Sequence, residues 1–200
     1  MLDIAEFIGT LAFALSGYFV GVKAKLDFLG IFITSFLTAL GGGVLRDLLV
    51  EREPLSFVDP TFPTIVLTVI MIATLLKLHK NSSLENKSYF IISDTLGLVS
   101  FAISGTLVAL NANFSIFGVF LTALITAVGG GVLRDMLINK VPLLLKSDFY
   151  GSVAIVVAVM IYILDRFGMT NIFWITLVFG FGVGLRLIAY YRDWHLPKLT

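Results

Sequence analysis

Two pairs of ionisable residues lie within long apolar segments of this sequence, and they are the residues best able to do chemistry there. Arg46 and Asp47 follow a run of three glycines, and Arg134 and Asp135 repeat the arrangement later in the chain. Charged side chains are costly inside a bilayer and usually mark ion or substrate pathways. Neighbouring residues on a helix point about 100° apart, so Arg46 is predicted to pair with an acid from another helix and not with Asp47.

The predicted partners of the two arginines lie at the start of two other apolar segments. Glu6 enters the first segment on the outer side of the membrane, where Arg46 leaves the second. Asp94 bears the same relation to Arg134 on the inner side. We therefore expect two ion pairs that form the gates or mouths of one path. The alternative is that these charges extend to the lipid headgroups, because Arg46 is only a turn or so from the end of its helix.

Each arginine lies about one turn beyond a run of glycines near the middle of its segment. The six residues are Gly41, Gly42, Gly43, Gly129, Gly130 and Gly131. A glycine costs about 1 kcal/mol relative to alanine in a helix interior, so helix propensity does not explain the runs. We expect the glycines to break the second and fifth membrane helices and to present backbone groups to a central path, because freed backbone groups cannot face lipid. The alternative is close helix packing, for which membrane proteins also use small residues.

Hydroxyl side chains recur at matching positions near these residues. Ser16 and Ser104 lie in the first and fourth segments, and Thr38 and Thr126 stand one turn before each glycine run. Duplicated hydroxyls at mid-depth suit a polar lining that replaces part of an ion's hydration shell. Serine and threonine in membrane helices also often bond their own backbone carbonyls, so each hydroxyl alone is weak evidence.

An internal duplication relates these features to one another. The heptapeptide GGGVLRD occurs at 41–47 and again at 129–135, an offset of 88, and the stretch from Gly9 to Pro54 has 21 identities in 46 positions with its partner. Each copy contains three apolar segments. Because three is an odd number, the second copy must enter the membrane from the opposite side, as in the inverted repeats of many transport proteins.

The composition agrees with a membrane-embedded chain. Its 200 residues are 58% hydrophobic and 14% charged, with a mean hydropathy of +1.00, against roughly 45–50% apolar and about 25% charged in soluble domains. Seven apolar segments have roughly the length that a bilayer requires. They span 4–22, 28–50, 62–78, 89–110, 116–138, 149–164 and 172–191. The fold class predicted is an all-α polytopic membrane protein, one transmembrane domain over 1–200, with repeat one at 1–80, repeat two at 89–167 and a seventh helix at 170–192.

Lysine and arginine in the connecting loops and tails predict the orientation. Nine of them fall on one face of the predicted bundle, while Arg52 and Arg166 fall on the other. The nine are Lys23, Lys25, Lys77, Lys80, Lys87, Lys140, Lys146, Arg192 and Lys198. Because cytoplasmic loops carry the excess of basic residues, we expect a multi-pass protein of the cell (inner) membrane with an extracytoplasmic N-terminus and a cytoplasmic C-terminus.

The remaining polar residues give little reason to expect other chemistry. The chain has two histidines, no cysteine and a net charge of +1, so we expect no metal site, no cofactor and no nucleic-acid partner. Several residues of the last helix are interpreted as interfacial anchors or as an aromatic belt. They are Arg186, Asp193, His195, Trp174, Trp194, Tyr190 and Tyr191.

The doubled GGGVLRD, the acids at the start of the first and fourth helices, the Ser-Gly pairs and the three-plus-three-plus-one layout resemble the prokaryotic branch of the trimeric intracellular cation (TRIC) channels. Bacterial members of that branch are also catalogued as glycine-transporter-like proteins. The resemblance covers nearly the whole chain. It implies a homotrimer with one path per subunit, permeable to monovalent cations such as potassium or sodium, and lined by the second and fifth helices. The animal branch has a basic lipid-binding motif, and no such cluster lies beside the glycine runs here.

Three classes of function follow from these observations. A potassium-permeable channel is favoured by the resemblance, the hydroxyls and an acidic outer mouth. That mouth comprises Glu6, Asp47, Glu51, Glu53 and Asp59. A secondary transporter of glycine or another small amino acid is the alternative, because the half-helix that begins after each broken glycine run would suit a carboxylate. A membrane enzyme is not expected, since no cluster has the spacing of a metal site or of a nucleophile with its base.

Overall fold

The computed structural model describes residues 2–78, 87–146 and 149–194, and the regular elements in those ranges are all α-helices. Seven are long, and two are single turns that follow the second and sixth helices. In chain order they are α1 (Leu2–Lys23), α2 (Phe28–Leu49), α3 (Leu55–Val58), α4 (Thr61–Leu75), α5 (Lys87–Asn111), α6 (Ile116–Leu137), α7 (Leu143–Lys146), α8 (Tyr150–Arg166) and α9 (Ile172–Tyr191).

Five of the described helices, α1, α2, α5, α6 and α9, are long and apolar enough to cross a membrane. Helix α4 is apolar but shorter, at 15 residues, and α8 has 17. The chain is therefore an all-α polytopic membrane protein, as predicted, while the count of seven spans stays a prediction. Many large apolar side chains are exposed on the outside of the bundle, as a lipid-facing surface requires.

The helices pack as two equivalent sets. Helix α4 lies against α1 and α2, just as α8 lies against α5 and α6, while α9 packs on the second set, against α8 and α5. The two sets meet where α1 contacts α5 and α2 contacts α6. Phe13 of α1 stacks on Phe101 of α5, with ring centroids 5.4 Å apart. Gly9 faces Phe101, and Gly97 faces Phe13. The earlier residue of each helix therefore faces the later residue of the other, which means that α1 and α5 are antiparallel.

Equivalent residues begin and end α2 and α6. The Asp27 carboxylate accepts a hydrogen bond from the backbone N–H three residues on, at 2.7 Å. Ser115, at the equivalent position, does the same at 3.3 Å. Side-chain oxygens at this position satisfy N–H groups that a helix start leaves unpaired. Beyond the helix ends, Glu51 and Asn139 adopt left-handed backbone conformations, with φ of 55° and 52°. The duplication thus sets matching limits for the two central helices.

The glycine runs do not break their helices, so that prediction is wrong. Helix α2 is continuous from Phe28 to Leu49, and α6 is continuous from Ile116 to Leu137. The glycines instead let the two helices cross closely: a Cβ on Gly42 would overlap the carbonyl oxygen of Thr126, and one on Gly130 would overlap that of Thr38. Close approach of two backbones, the alternative considered for these residues, explains why side chains are missing there.

Candidate functional site

The first site is built where the start of α1 meets the end of α2. Arg46 is 1% exposed, and its Nη1 donates to Glu6 Oε1 at 2.5 Å and to the Oγ of Ser104 on α5. The Ser104 hydroxyl donates in turn to Glu6 Oε1 at 3.2 Å. The predicted contact between Glu6 and Arg46 is therefore present. We call Glu6, Arg46, Asp47 and Ser104 the first site.

The second site repeats this arrangement where α5 begins and α6 ends. Arg134 is fully buried, and its Nη1 donates to Asp94 Oδ1 at 3.2 Å and to Ser16 Oγ at 3.0 Å. The Ser16 hydroxyl donates to the same Asp94 oxygen at 3.1 Å. The contact predicted between Asp94 and Arg134 is thus also present. Ser16, Asp94, Arg134 and Asp135 form the second site.

Each site takes its serine from the other copy of the duplicated unit. Ser104 belongs to the second copy but completes the pair of Glu6 and Arg46. Ser16 belongs to the first copy and completes the pair at the second site. This exchange follows from the antiparallel packing of α1 and α5, which places the middle of one helix beside the start of the other. Sequence reasoning identified both serines but not the site to which each contributes.

The aspartate after each arginine also belongs to its site, which corrects the sequence-based expectation. Arg46 Nε lies 2.8 Å from Asp47 Oδ1, and Arg134 Nε lies 2.8 Å from Asp135 Oδ1. The angle of about 100° between neighbouring residues describes only the directions in which their Cα–Cβ bonds leave the helix. An arginine side chain is long enough for Nε to reach one carboxylate while Nη1 reaches a second, because the guanidinium presents several donors in a fixed fork. Burial of both arginines also excludes the alternative in which they extend to the lipid headgroups.

The second oxygen of each aspartate holds a short helix over its site. Asp47 Oδ2 accepts the backbone N–H of Leu55, the first residue of α3, at 2.9 Å. Asp135 Oδ2 accepts that of Leu143 in α7 at 3.0 Å. At the first site alone, the Arg52 side chain also binds Asp47 Oδ1, with Nη2 at 2.8 Å. The buried networks are therefore tied directly to the loops that follow α2 and α6.

The predicted threonines serve the packing of the helices. Thr38 Oγ1 donates to the carbonyl of Thr34 at 2.5 Å, and Thr126 Oγ1 donates to that of Thr122 at 2.6 Å. Both hydroxyls lie against a glycine of a neighbouring helix, at Gly17 and Gly105 respectively. Hydroxyls engaged in this way are less available as ligands for an ion. A role for Thr38 and Thr126 in lining a path stays a prediction.

The outer glycines of each run lie in more open surroundings than the central ones. A Cβ on Gly43 would lie 3.9 Å from Arg46 Nη2, and one on Gly131 would lie 3.6 Å from Arg134 Nη2. On Gly41 and Gly129, a Cβ would meet the end of a leucine side chain on the facing helix at 2.8 Å and a glycine Cα of that helix at 3.5 Å, an ordinary contact distance. Within the two runs, a Cβ would overlap backbone of the facing helix at the central glycines, Gly42 and Gly130.

A small, partly enclosed cavity adjoins the first site. Its lining combines the charged residues of the site with apolar side chains of α2, α4 and α5. The lining residues are Glu6, Thr10, Ala39, Leu40, Gly43, Arg46, Asp47, Leu55, Ser56, Phe62 and Phe101. Gly43 opens into this cavity, so its missing side chain leaves space beside the Arg46 guanidinium.

Arg186 of α9 is a buried residue that the sequence-based interpretation placed at the membrane interface. It is 2% exposed, and its Cζ lies 5.1 Å from the ring centroid of Tyr150 and 6.0 Å from that of Tyr190. The interpretation as an interfacial anchor is therefore wrong for Arg186. A signal was present, since an arginine within an apolar helix is costly unless it is buried in the bundle. His195 lies outside the described residues.

No group of three potential metal ligands occurs among residues 2–78, 87–146 and 149–194. The polar groups of both sites are instead carboxylates, hydroxyls and guanidinium groups that bind one another. Two mutually inverted helix sets, each with a buried charged network, define a polytopic α-helical membrane protein of the inverted-repeat class.

Comparisons with known proteins identify the family within this class. A family model described as "Glycine transporter" matches residues 3–78 and again 91–166. The UPF0126 membrane protein YvgT of Bacillus subtilis is 29% identical over 199 residues, which is 98% of this chain and 95% of YvgT. A solved TRIC cation channel structure is 32% identical, with a TM-score of 0.86 over 99% of this chain and 97% of that one. A TRIC orthologue from Rhodobacter sphaeroides is 25% identical, with a TM-score of 0.87 over 96% and 98% of the two chains. The chain belongs to the prokaryotic TRIC family and matches the glycine-transporter family model in both of its copies.

Proposed function

We propose that this chain is a subunit of a homotrimeric channel for monovalent cations, permeable to potassium, with one ion path through each subunit. The observation that carries the proposal is its similarity, at 32% identity over 99% of its length, to a structure described as that of a TRIC cation channel. The proposed path runs between the two sites, along the faces of α1, α2, α5 and α6 that meet in the bundle.

The charge of the two sites supports a preference for cations. In each site, two carboxylates surround the guanidinium of the arginine that follows the glycine run. The first site therefore has a surplus of one negative charge at Glu6, Arg46 and Asp47. A net negative constriction raises the local concentration of cations and repels anions. Nothing in either site resembles a rigid ring of stacked carbonyls, so we expect poor discrimination between potassium and sodium.

The continuous glycine helices change the role proposed for Gly41 to Gly43 and Gly129 to Gly131. We propose that they set the distance between α2 and α6, and so the width of the path, without supplying free backbone groups. The alternative of an amino-acid transporter relied on half-helix ends at mid-depth for a carboxylate. Because α2 and α6 are unbroken, those ends are absent from the two helices. The main physical reason to propose a transporter therefore does not hold.

We further propose that the N-terminus is extracytoplasmic, that the C-terminus is cytoplasmic, and that the two copies occupy 1–80 and 89–167. The nine-to-two loop bias supports this orientation. The chain has no cysteine, so single cysteines at Asp59 and Lys25 can be labelled selectively with an impermeant thiol reagent. The proposal requires labelling from opposite sides of the membrane, and labelling of both from one side would contradict it.

The test of the proposed function uses purified protein in planar bilayers with a KCl gradient. The proposal predicts discrete currents whose reversal potential lies close to the potassium equilibrium potential. A reversal potential near that of chloride would contradict it, as would saturable uptake of labelled glycine without any cation current. The Asp47→Asn variant should move the reversal potential toward zero, because it removes one of the two carboxylates of the first site.

A further inference from the structure

Arg186 is a buried charge that the two duplicated sites do not explain. Among residues 2–78, 87–146 and 149–194, no carboxylate lies within 4.0 Å of its side chain. Its Nε also has no hydrogen-bond partner in those ranges. A buried arginine without a paired carboxylate is costly in a protein and more so in a bilayer, so packing alone does not account for it.

Arg186 lies beside the second site. Its guanidinium stacks on Tyr150 and is close enough to Asp94 for an electrostatic interaction. The Tyr150 hydroxyl and Arg134 Nη2 each lie 3.6 Å from the point that a Cβ on Gly131 would occupy. The second site therefore extends from Asp94 and Arg134, past Gly131, to Tyr150 and Arg186.

The first site has no equivalent of this extension. The residue 88 positions before Tyr150 is Phe62, which has no hydroxyl, and α9 has no counterpart in the first helix set. The first site has Arg52 instead, but this side chain is 38% exposed and reaches Asp47 from the loop after α2. Solvent and salt screen an exposed charge far more than a buried one.

The buried charge of the two sites consequently differs. Glu6, Arg46 and Asp47 give the first site a buried net charge of −1. The second site has the equivalent two carboxylates and one arginine, but Arg186 adds a buried positive charge and makes its total zero. The two copies of the duplicated sequence thus supply equivalent charged residues to the two sites. Arg186 of α9 makes the charges of the two sites unequal.

We infer that Arg186 is a further functional residue of the ion path, and that its charge makes the channel pass cations unequally in the two directions. The inference rests on the proposed channel function. A cation that enters at the first site meets a net negative charge, whereas a cation that enters at the second site meets none. In symmetric KCl, the currents at equal and opposite voltages should therefore differ.

The experiment compares this current ratio in the parent protein and in the Arg186→Gln variant. The ratio of the parent should depart from one. Arg186→Gln should bring it toward one by roughly two-fold or more, since it removes a buried unit charge beside the path. Arg192→Gln is the matched control, because it removes an exposed arginine from the same end of α9 and should leave the ratio unchanged. Asp47→Asn should also bring the ratio toward one, because it removes the buried negative charge by which the first site exceeds the second.

Each outcome decides a different point. If the parent passes no cation current, the proposed function and this inference both fail. If it conducts but Arg186→Gln has the same ratio as the parent, only the inference fails. If Arg186→Gln does not assemble, Asp47→Asn decides: a ratio nearer one supports the inference, and an unchanged ratio overturns it.

Discussion

Alanine at Gly42 should destabilise the protein, whereas alanine at the adjacent Gly43 should not. A Cβ on Gly42 would overlap the Thr126 carbonyl oxygen of α6. Because that atom belongs to the backbone of a packed helix, no side-chain rotation relieves the overlap, and α2 and α6 must move apart. On Gly43, the nearest atom to a new Cβ is Arg46 Nη2 at 3.9 Å, an ordinary contact distance.

The expected magnitudes follow from two opposing terms. Each substitution gains about 1 kcal/mol of helix propensity, since alanine replaces glycine within a helix. Overpacking costs roughly 1–3 kcal/mol, and an overlap between two backbones belongs at the upper end of that range. Gly43→Ala should therefore be neutral or stabilising by up to about 1 kcal/mol, and Gly42→Ala should be destabilising by roughly 1–2 kcal/mol net.

The assay is thermal unfolding of the purified protein in detergent, measured as the fraction that still elutes at the native position in size-exclusion chromatography. Gly42→Ala should have a lower midpoint than the parent, and Gly43→Ala an equal or higher one. Gly130→Ala and Gly131→Ala should reproduce the contrast in α6, because Gly130 faces the Thr38 carbonyl and Gly131 has space. Equal midpoints for the two members of each pair would refute the helix-crossing explanation of the glycine runs.

Three further predictions concern the buried networks and one loop. Glu6→Gln and Arg46→Gln should be non-additive in cation current, because the two side chains bind each other; strict additivity would show that they act independently. Ser104→Ala should lower stability by about 1–3 kcal/mol, whereas Ser100→Ala should not, because the buried Ser100 hydroxyl has no hydrogen-bond partner among the described residues; equal effects in thermal unfolding would contradict this. A backbone hydrogen bond lowers the pKa of the Asp59 carboxyl below its usual 3.8. Its stabilisation is present at neutral pH and lost as the pH falls through the lowered value, so Asp59→Asn should reduce acid sensitivity measured from about pH 5 to about pH 3.

The duplication made much of the first and second sites predictable from the sequence. The offset of 88 placed Glu6 with Asp94 and Arg46 with Arg134 in equivalent roles. An odd number of helices per copy then set opposite orientations for the two copies. Pairing of each acid with its arginine followed, because both residues of a pair had to lie on the same side of the membrane.

The glycine runs are helical because of tertiary packing, which helix propensity does not represent. The cost of glycine in a helix is about 1 kcal/mol per residue, and the close approach of α2 and α6 offsets it through contacts along both helices. Gly42 shows this directly, since its missing side chain is what lets the Thr126 carbonyl approach. The sequence contained the glycines but not the identity of the facing helix.

The second error in the sequence-based prediction concerned how far the arginine side chains reach. The expectation that Arg46 would not contact Asp47 treated the side chains as directions, whereas the guanidinium bends back to its neighbour and still reaches Glu6. Arg186 was misplaced for a related reason. Its position near the end of α9 suggested an interface, but the rings of Tyr150 and Tyr190 enclose it within the bundle.

The most direct test of the central claim, one cation path through the first site of each subunit, uses a single introduced cysteine. Thr10 lines the cavity beside Glu6 and Arg46, and the chain has no native cysteine. A bulky methanethiosulfonate reagent on Thr10→Cys should reduce the potassium current of one trimer in three equal steps. Thr64→Cys, on an exposed face of α4, should react without any change in current. An undiminished current after complete modification of Thr10→Cys, or its loss in a single step, would contradict the claim.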